Sequence, residues 1–124
     1  MKNLILSLLL LLSAACSEQT PAEISPARLK ESDLVLDVRT VEEHTEVSLD
    51  REHWLVPLQQ LDAKKFISEH GLDGSRPLYI LCRSGKRAKT AADMFKQAGF
   101  KKAVVITGGI IAAERDGLKI KHGE

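Results

Sequence analysis

The sequence predicts an α/β fold in which helices flank a central, mostly parallel sheet. Three observations carry that expectation. Short apolar runs recur at residues 34–38, 78–81 and 103–106, the continuous pattern of strands covered on both faces. The stretches between them carry helix caps and one-sided apolar faces, so strands and helices alternate. The length, 124 residues, allows one ordinary domain plus an appendage and excludes a large barrel or a repeat array.

Taken in order, residues 16–24 read as a polar tether. Ser25 followed by Pro26 is an N-cap with proline at the first helical position, which predicts a short helix to about Glu31. Residues 34–38 form a buried strand carrying one acid, Asp37. Thr40 and Glu43 have capping-box spacing, so a short helix follows. Residues 47–53 look polar and irregular, and residues 54–56 form a strand stopped by Pro57. A helix over residues 58–70 would bury Leu58, Leu61, Phe66 and Ile67 and end at Gly71. A turn at residues 74–77 leads to the strand at 78–81 and then to a loop over 82–87. Residues 88–98 are helical, with Ala91, Met94, Phe95 and Ala98 on one face and Gly99 as the stop. After the strand at 103–106, Gly108-Gly109 opens a last short helix.

The charge balance is 18 Lys+Arg against 17 Asp+Glu, a formal net charge of +1. Bulk electrostatics therefore gives no reason to bind nucleic acid. The N-terminus reads as an address. Lys2 precedes an apolar run over residues 4–12 interrupted only by Ser7, shorter than the ~20 residues a bilayer span requires. Ser13, Ala14, Ala15 and Cys16 follow, and the stretch resembles a bacterial lipoprotein signal whose cysteine receives the lipid. Residues 1–15 are thus expected to be a signal peptide, 16–24 a lipidated tether and 25–124 the folded domain. Ser17 after the cysteine points to the periplasmic face of the outer membrane. An ordinary secretory signal would leave a soluble periplasmic protein. With Cys16 carrying lipid, Cys82 has no partner for a disulfide.

The neighbours of Cys82 say what that thiol is for. The segment Cys82-Arg83-Ser84-Gly85-Lys86-Arg87 leaves a strand and enters a helix. A helix N-terminus favours an anion, and Arg83, Lys86, Arg87 and Lys89 add positive charge with no acid among them. Both effects favour a thiolate. Gly85 permits a loop that turns successive N–H groups inward as an anion nest. These residues describe a nucleophilic thiolate beside an anion site.

That loop resembles the Cys-Arg-Ser-Gly-x-Arg active-site loop of the rhodaneses, with Ala88 where Ser is usual. Asp37-Val38-Arg39 with Glu43 is similar to the family's Asp-Val-Arg-x-x-x-Glu segment. Ala98-Gly99-Phe100, the strand at 104–106 and Gly108-Gly109 resemble its ending, and the matches run in order over about residues 30–112. Small size with an export signal is most similar to the small periplasmic rhodaneses of the phage-shock-protein type. Two departures touch the pocket walls: residues 47–57 keep little of the family's usual pattern there, and Ala112 and Ala113 stand near a customary Trp.

The resemblance implies a thiosulfate sulfurtransferase. Cys82 would take the outer sulfur of thiosulfate as a persulfide and pass it to cyanide or a thiol, with no other cofactor. Arg83, Ser84, Gly85, Lys86 and Arg87 would bind the substrate, with Arg87 as the inner cation and Arg83 and Lys86 steering the donor. Asp37 and Arg39 either line the pocket or pin the strand ends. His44, His53, His70 and His122 show no ligand spacing and read as surface residues, so no metal is implied. A monomer is expected. One competing chemistry is a thiol phosphatase or arsenate reductase, but its loop usually holds five residues between Cys and Arg, against the four here, 83–86. Another is a membrane-tethered sulfur carrier or binding module.

Overall fold

The computed structural model describes residues 20–123, so Cys16 and the whole expected signal segment lie outside the described residues. Five strands, β1 (Ala22–Ile24), β2 (Leu34–Asp37), β4 (Trp54–Leu55), β5 (Leu78–Leu81) and β6 (Ala103–Ile106), form one parallel sheet in the order β1-β6-β5-β2-β4. A separate antiparallel ribbon pairs β3 (Val47–Leu49) with β7 (Ile120–His122). The helices are α1 (Val41–Glu46), α2 (Ala63–Glu69), α3 (Lys86–Gln97) and α4 (Gly109–Arg115). No helix among the described residues is long and apolar enough to cross a membrane.

Alternation along each strand divides the core in two. Leu36, Leu78, Ile80 and Val105 pack on one face with Phe66 of α2 and Ala88, Ala91 and Phe95 of α3. Val35, Leu81 and Ile106 pack on the other with Leu49 and with Ile110 and Ala113 of α4. Both faces are covered, and this is why the strands read as unbroken apolar runs.

Four local expectations change. The helix expected to reach Glu31 is a single 3-10 turn, Pro26–Arg28, after which Leu29 is extended. The Arg51 guanidinium donates to the carbonyls of Lys30, Glu31 and Asp33 and holds that backbone out of a helix. Part of the expected tether is a strand: β1 lies beside β6, and Thr107 N–H donates to the Ile24 carbonyl at 2.9 Å. The helix expected over residues 58–70 is broken into a 3-10 turn, Leu58–Gln60, and α2. Leu61 is extended between them, and the Asp62 side chain accepts from Lys65 N–H as the real N-cap. Residues 47–49, expected to be irregular, form a strand because β7 supplies a partner from the far end of the chain.

Candidate active site

The carboxyl ends of β2 and β5 lie side by side, so the segments that leave them meet at one edge of the sheet. After β5 the chain makes a tight loop into α3. Gly85 has φ +112°, a left-handed conformation open to glycine, and α3 starts at Lys86, two residues earlier than its apolar face implies. The loop curls around the thiol: Gly85 N–H donates to Cys82 Sγ at 2.9 Å. Cys82 is only 1% exposed, whereas Arg83, Ser84 and Lys86 lie at the surface. Among the described residues neither Arg83 nor Lys86 makes a salt bridge, and both are exposed to solvent; Lys89 is turned to Glu23 at 3.5 Å.

The loop is braced from behind by the start of α4. Ile110 N–H donates to the Cys82 carbonyl at 2.8 Å and Ile111 N–H reaches the Arg83 carbonyl at 3.4 Å. Gly109 allows this approach. A Cβ there would stand 2.2 Å from the Cys82 oxygen and 2.5 Å from the Arg83 carbonyl, and its φ is +57°. The Gly-Gly pair is visible in the sequence as a turn; that it supports the thiol loop is visible only in three dimensions.

Arg87 does not stand free as an inner cation. Its guanidinium makes a two-pronged pair with Glu43 of α1, at 2.7 and 2.8 Å. The carboxylate is thereby held far below its ordinary range, at about 2, chiefly by the Arg87 hydrogen bond, with Thr40 N–H and hydroxyl helping. Arg87 is pushed upward by the same contact. Thr40 and Glu43 form the expected capping box, so one glutamate both caps α1 and ties it to the thiol loop. Sequence spacing exposes the first role and not the second, which spans 44 positions. Beside Arg87 a groove of about 350 Å³ opens between Thr40 and Val41 on one side and Leu58 and Gln59 on the other.

Asp37 and Arg39 pin the end of β2 to its neighbours. They are 0% and 1% exposed and pair at 2.8 Å. Arg39 also donates to the Val47 carbonyl at 2.8 Å and the Glu43 carbonyl at 3.3 Å, joining the end of β2 to α1 and β3. Burial of that cation is offset because each of its three guanidinium nitrogens has an acceptor.

The histidines separate into two kinds. His70 and His122 are exposed, as expected. His44 and His53, expected at the surface, are half-buried and meet with their Nε2 atoms 2.8 Å apart. The His44 pKa is lowered, first by burial and then by His53. Nine positions separate the two residues, and only the turn of the chain through the β3 region brings them together.

Comparisons with known proteins agree on the fold. The rhodanese-like domain family matches residues 21–115. Over 76 residues, 61% of this chain, the sequence is 32% identical to a Bacillus subtilis (strain 168) protein named "Putative sulfur carrier protein YrkF". The match spans 38% of that relative's length. The solution structure of protein hp1203 from Helicobacter pylori 26695 superposes with a TM-score of 0.67 at 24% identity, covering 82% of this chain and 89% of that one. The rhodanese-like domain of the Anabaena sp. Alr3790 protein gives 0.68 at 20% identity, over 81% and 78%. These two likenesses concern the fold alone. An NAD-dependent persulfide reductase from A. fulgidus shares 25% identity at a TM-score of 0.56, over 73% of this chain and 16% of the enzyme. The family match runs from the first strand through the last residue of α4, and the chain therefore belongs to the rhodanese-like domain family, which includes sulfurtransferases.

Proposed function

We propose that this protein is a sulfurtransferase that carries a sulfane sulfur on Cys82, with thiosulfate as donor and cyanide or a thiol as acceptor. The observation that carries the reading is the enclosure of Cys82 Sγ by its own loop, with Gly85 N–H aimed at it from the start of a twelve-residue helix. That arrangement stabilises negative charge on the nucleophile before and after sulfur transfer. The Cys82 thiolate attacks the outer sulfur of thiosulfate. A new S–S bond forms, the old one breaks, and its electron pair leaves with sulfite. The Cys82 persulfide keeps the single negative charge, and the nest keeps solvating it. Cyanide or a thiolate then takes the terminal sulfur and returns the Cys82 thiolate. Arg83 and Lys86, exposed and without salt bridges among the described residues, attract the dianionic donor.

The family match and the similarity to a named sulfur carrier support sulfur chemistry over phosphate or arsenate chemistry. The four-residue interval between Cys82 and Arg87 is also one residue shorter than the loop usual in a thiol phosphatase or arsenate reductase. A donor screen tests this. Thiosulfate should support steady thiocyanate formation, with mercaptopyruvate weaker and a phosphate ester inert; turnover of the phosphate ester alone would refute it. The address proposed with this activity is a lipid on Cys16 at the periplasmic face of a bacterial outer membrane. Cys16→Ser should then release active enzyme into the soluble periplasmic fraction, and a variant that stays with membranes at high salt would contradict it.

A further inference from the structure

We propose that His44 and His53, with the Asp37 carboxylate beside them, bind one divalent transition-metal ion of the Zn²⁺ class. The two imidazoles come from different elements, His44 from α1 and His53 from the segment ahead of β4, and their Nε2 atoms are 2.8 Å apart. Nδ1 of His53 lies 2.6 Å from the Arg51 carbonyl. A carbonyl only accepts, so Nδ1 carries the proton and Nε2 presents its lone pair toward His44. A single proton on His44 Nε2 then holds the pair together. A metal ion replaces it when His44 takes up its other neutral tautomer, so two neutral imidazoles ligate without a net loss of protons. With Zn–N bonds of about 2.0–2.1 Å the nitrogens need to part by only about half an ångström. Asp37, His44 and His53 each offer a ligand atom, all within 4.8 Å of one another.

The carboxylate is shared with a cation. Arg39 Nε divides its hydrogen bond between both Asp37 oxygens at 3.1 Å, while Nη2 holds Oδ2 at 2.8 Å. Oδ1, which also accepts from the Arg39 backbone N–H at 2.9 Å, can turn a lone pair toward the metal while Nη2 keeps its bond, and the nearby Arg39 charge weakens the affinity. Two imidazoles and a carboxylate are a donor set suited to Zn²⁺, Cu²⁺ or Ni²⁺ rather than Mg²⁺ or Ca²⁺. The site is separate from the thiol: Cys82 packs with Leu36 and Val38, and Asp37, between them on the strand, points to the opposite face of the sheet.

The test is calorimetric titration of Zn²⁺ into the full chain carrying Cys16→Ser and Cys82→Ser, which removes the competing thiols. One equivalent should bind, His44→Ala and His53→Ala should each weaken it at least about tenfold, and His70→Ala and His122→Ala should leave it unchanged. Retention of binding in both His44→Ala and His53→Ala, or no binding up to millimolar Zn²⁺, would overturn the proposal. Imidazole ¹⁵N spectra of the unsubstituted histidines keep the test independent of variant folding. Zn²⁺ should shift the Nε2 signals of His44 and His53 to metal-bound positions, and shifts confined to His70 or His122 would refute the site.

Discussion

Gly109 has room for no side chain, because its own backbone fills the space that braces the thiol loop. An added Cβ would collide with the Cys82 and Arg83 backbone, which cannot swing aside as a flexible side chain would. Gly109→Ala should therefore cost at least about 3 kcal/mol in stability and lower sulfur transfer by displacing Cys82. Gly71, at φ +62° with nothing within 4 Å, supplies the comparison. Gly71→Ala carries only the strain of a left-handed residue, about 1 kcal/mol, with activity intact. Denaturant unfolding of both variants checks the difference, and equal costs would remove the bracing role of Gly109. At the same scale the sequence exposes the thiol and its glycine but not the partner of Arg87. A basic residue at the end of an anion loop reads as an anion ligand, and nothing local reveals a glutamate 44 positions earlier that occupies it.

The pair of Glu43 and Arg87 ties helix α1 to helix α3 across the mouth of the site. Folding holds the Glu43 carboxyl at about 2 against an ordinary value of 4.5, so the folded protein favours the ionised form. That contribution is fully present above about pH 4.5 and disappears as pH falls toward 2. Glu43→Gln should be less stable than the parent by about 1 kcal/mol at pH 7, since the pair is partly exposed. The gap should close between pH 4.5 and 2, as urea unfolding across that range would show; a gap constant with pH would mean that the pair contributes no charge energy. Thr40→Ala should cost a further ~1 kcal/mol through the lost cap. Elements with local signals were legible from the sequence: the capping box of α1, the three apolar strands, and Gly71 and Gly99 at the ends of α2 and α3. Those that rest on distant partners were not. The strand β3 has polar surroundings and exists because β7 pairs with it, and β1 is held by β6, about eighty residues away. The expected long helix over residues 58–70 failed because Asp62 caps a new helix instead of continuing an old one.

For the molecule as a whole, the near-balance of 18 cations and 17 acids conceals a local field at the thiol edge. Arg83 and Lys86 project there without acidic partners among the described residues. Replacing both with alanine should lower kcat/KM for thiosulfate several-fold at low ionic strength, mainly through KM, and salt should erase most of the difference. A salt-independent loss would indicate damage to the loop rather than lost steering. The parallel sheet and the position of the thiol at its carboxyl edge follow from sequence order, whereas the meeting of Asp37, His44 and His53 follows only from the folded path of the chain. The central claim, that Cys82 is the carrier of sulfur, is tested most directly by intact mass spectrometry of the Cys16→Ser protein after exposure to thiosulfate. One sulfur atom should be added, cyanide should remove it, and Cys82→Ser should gain none. A protein that gains no sulfur, or a Cys82→Ser variant that still gains it, would contradict the account.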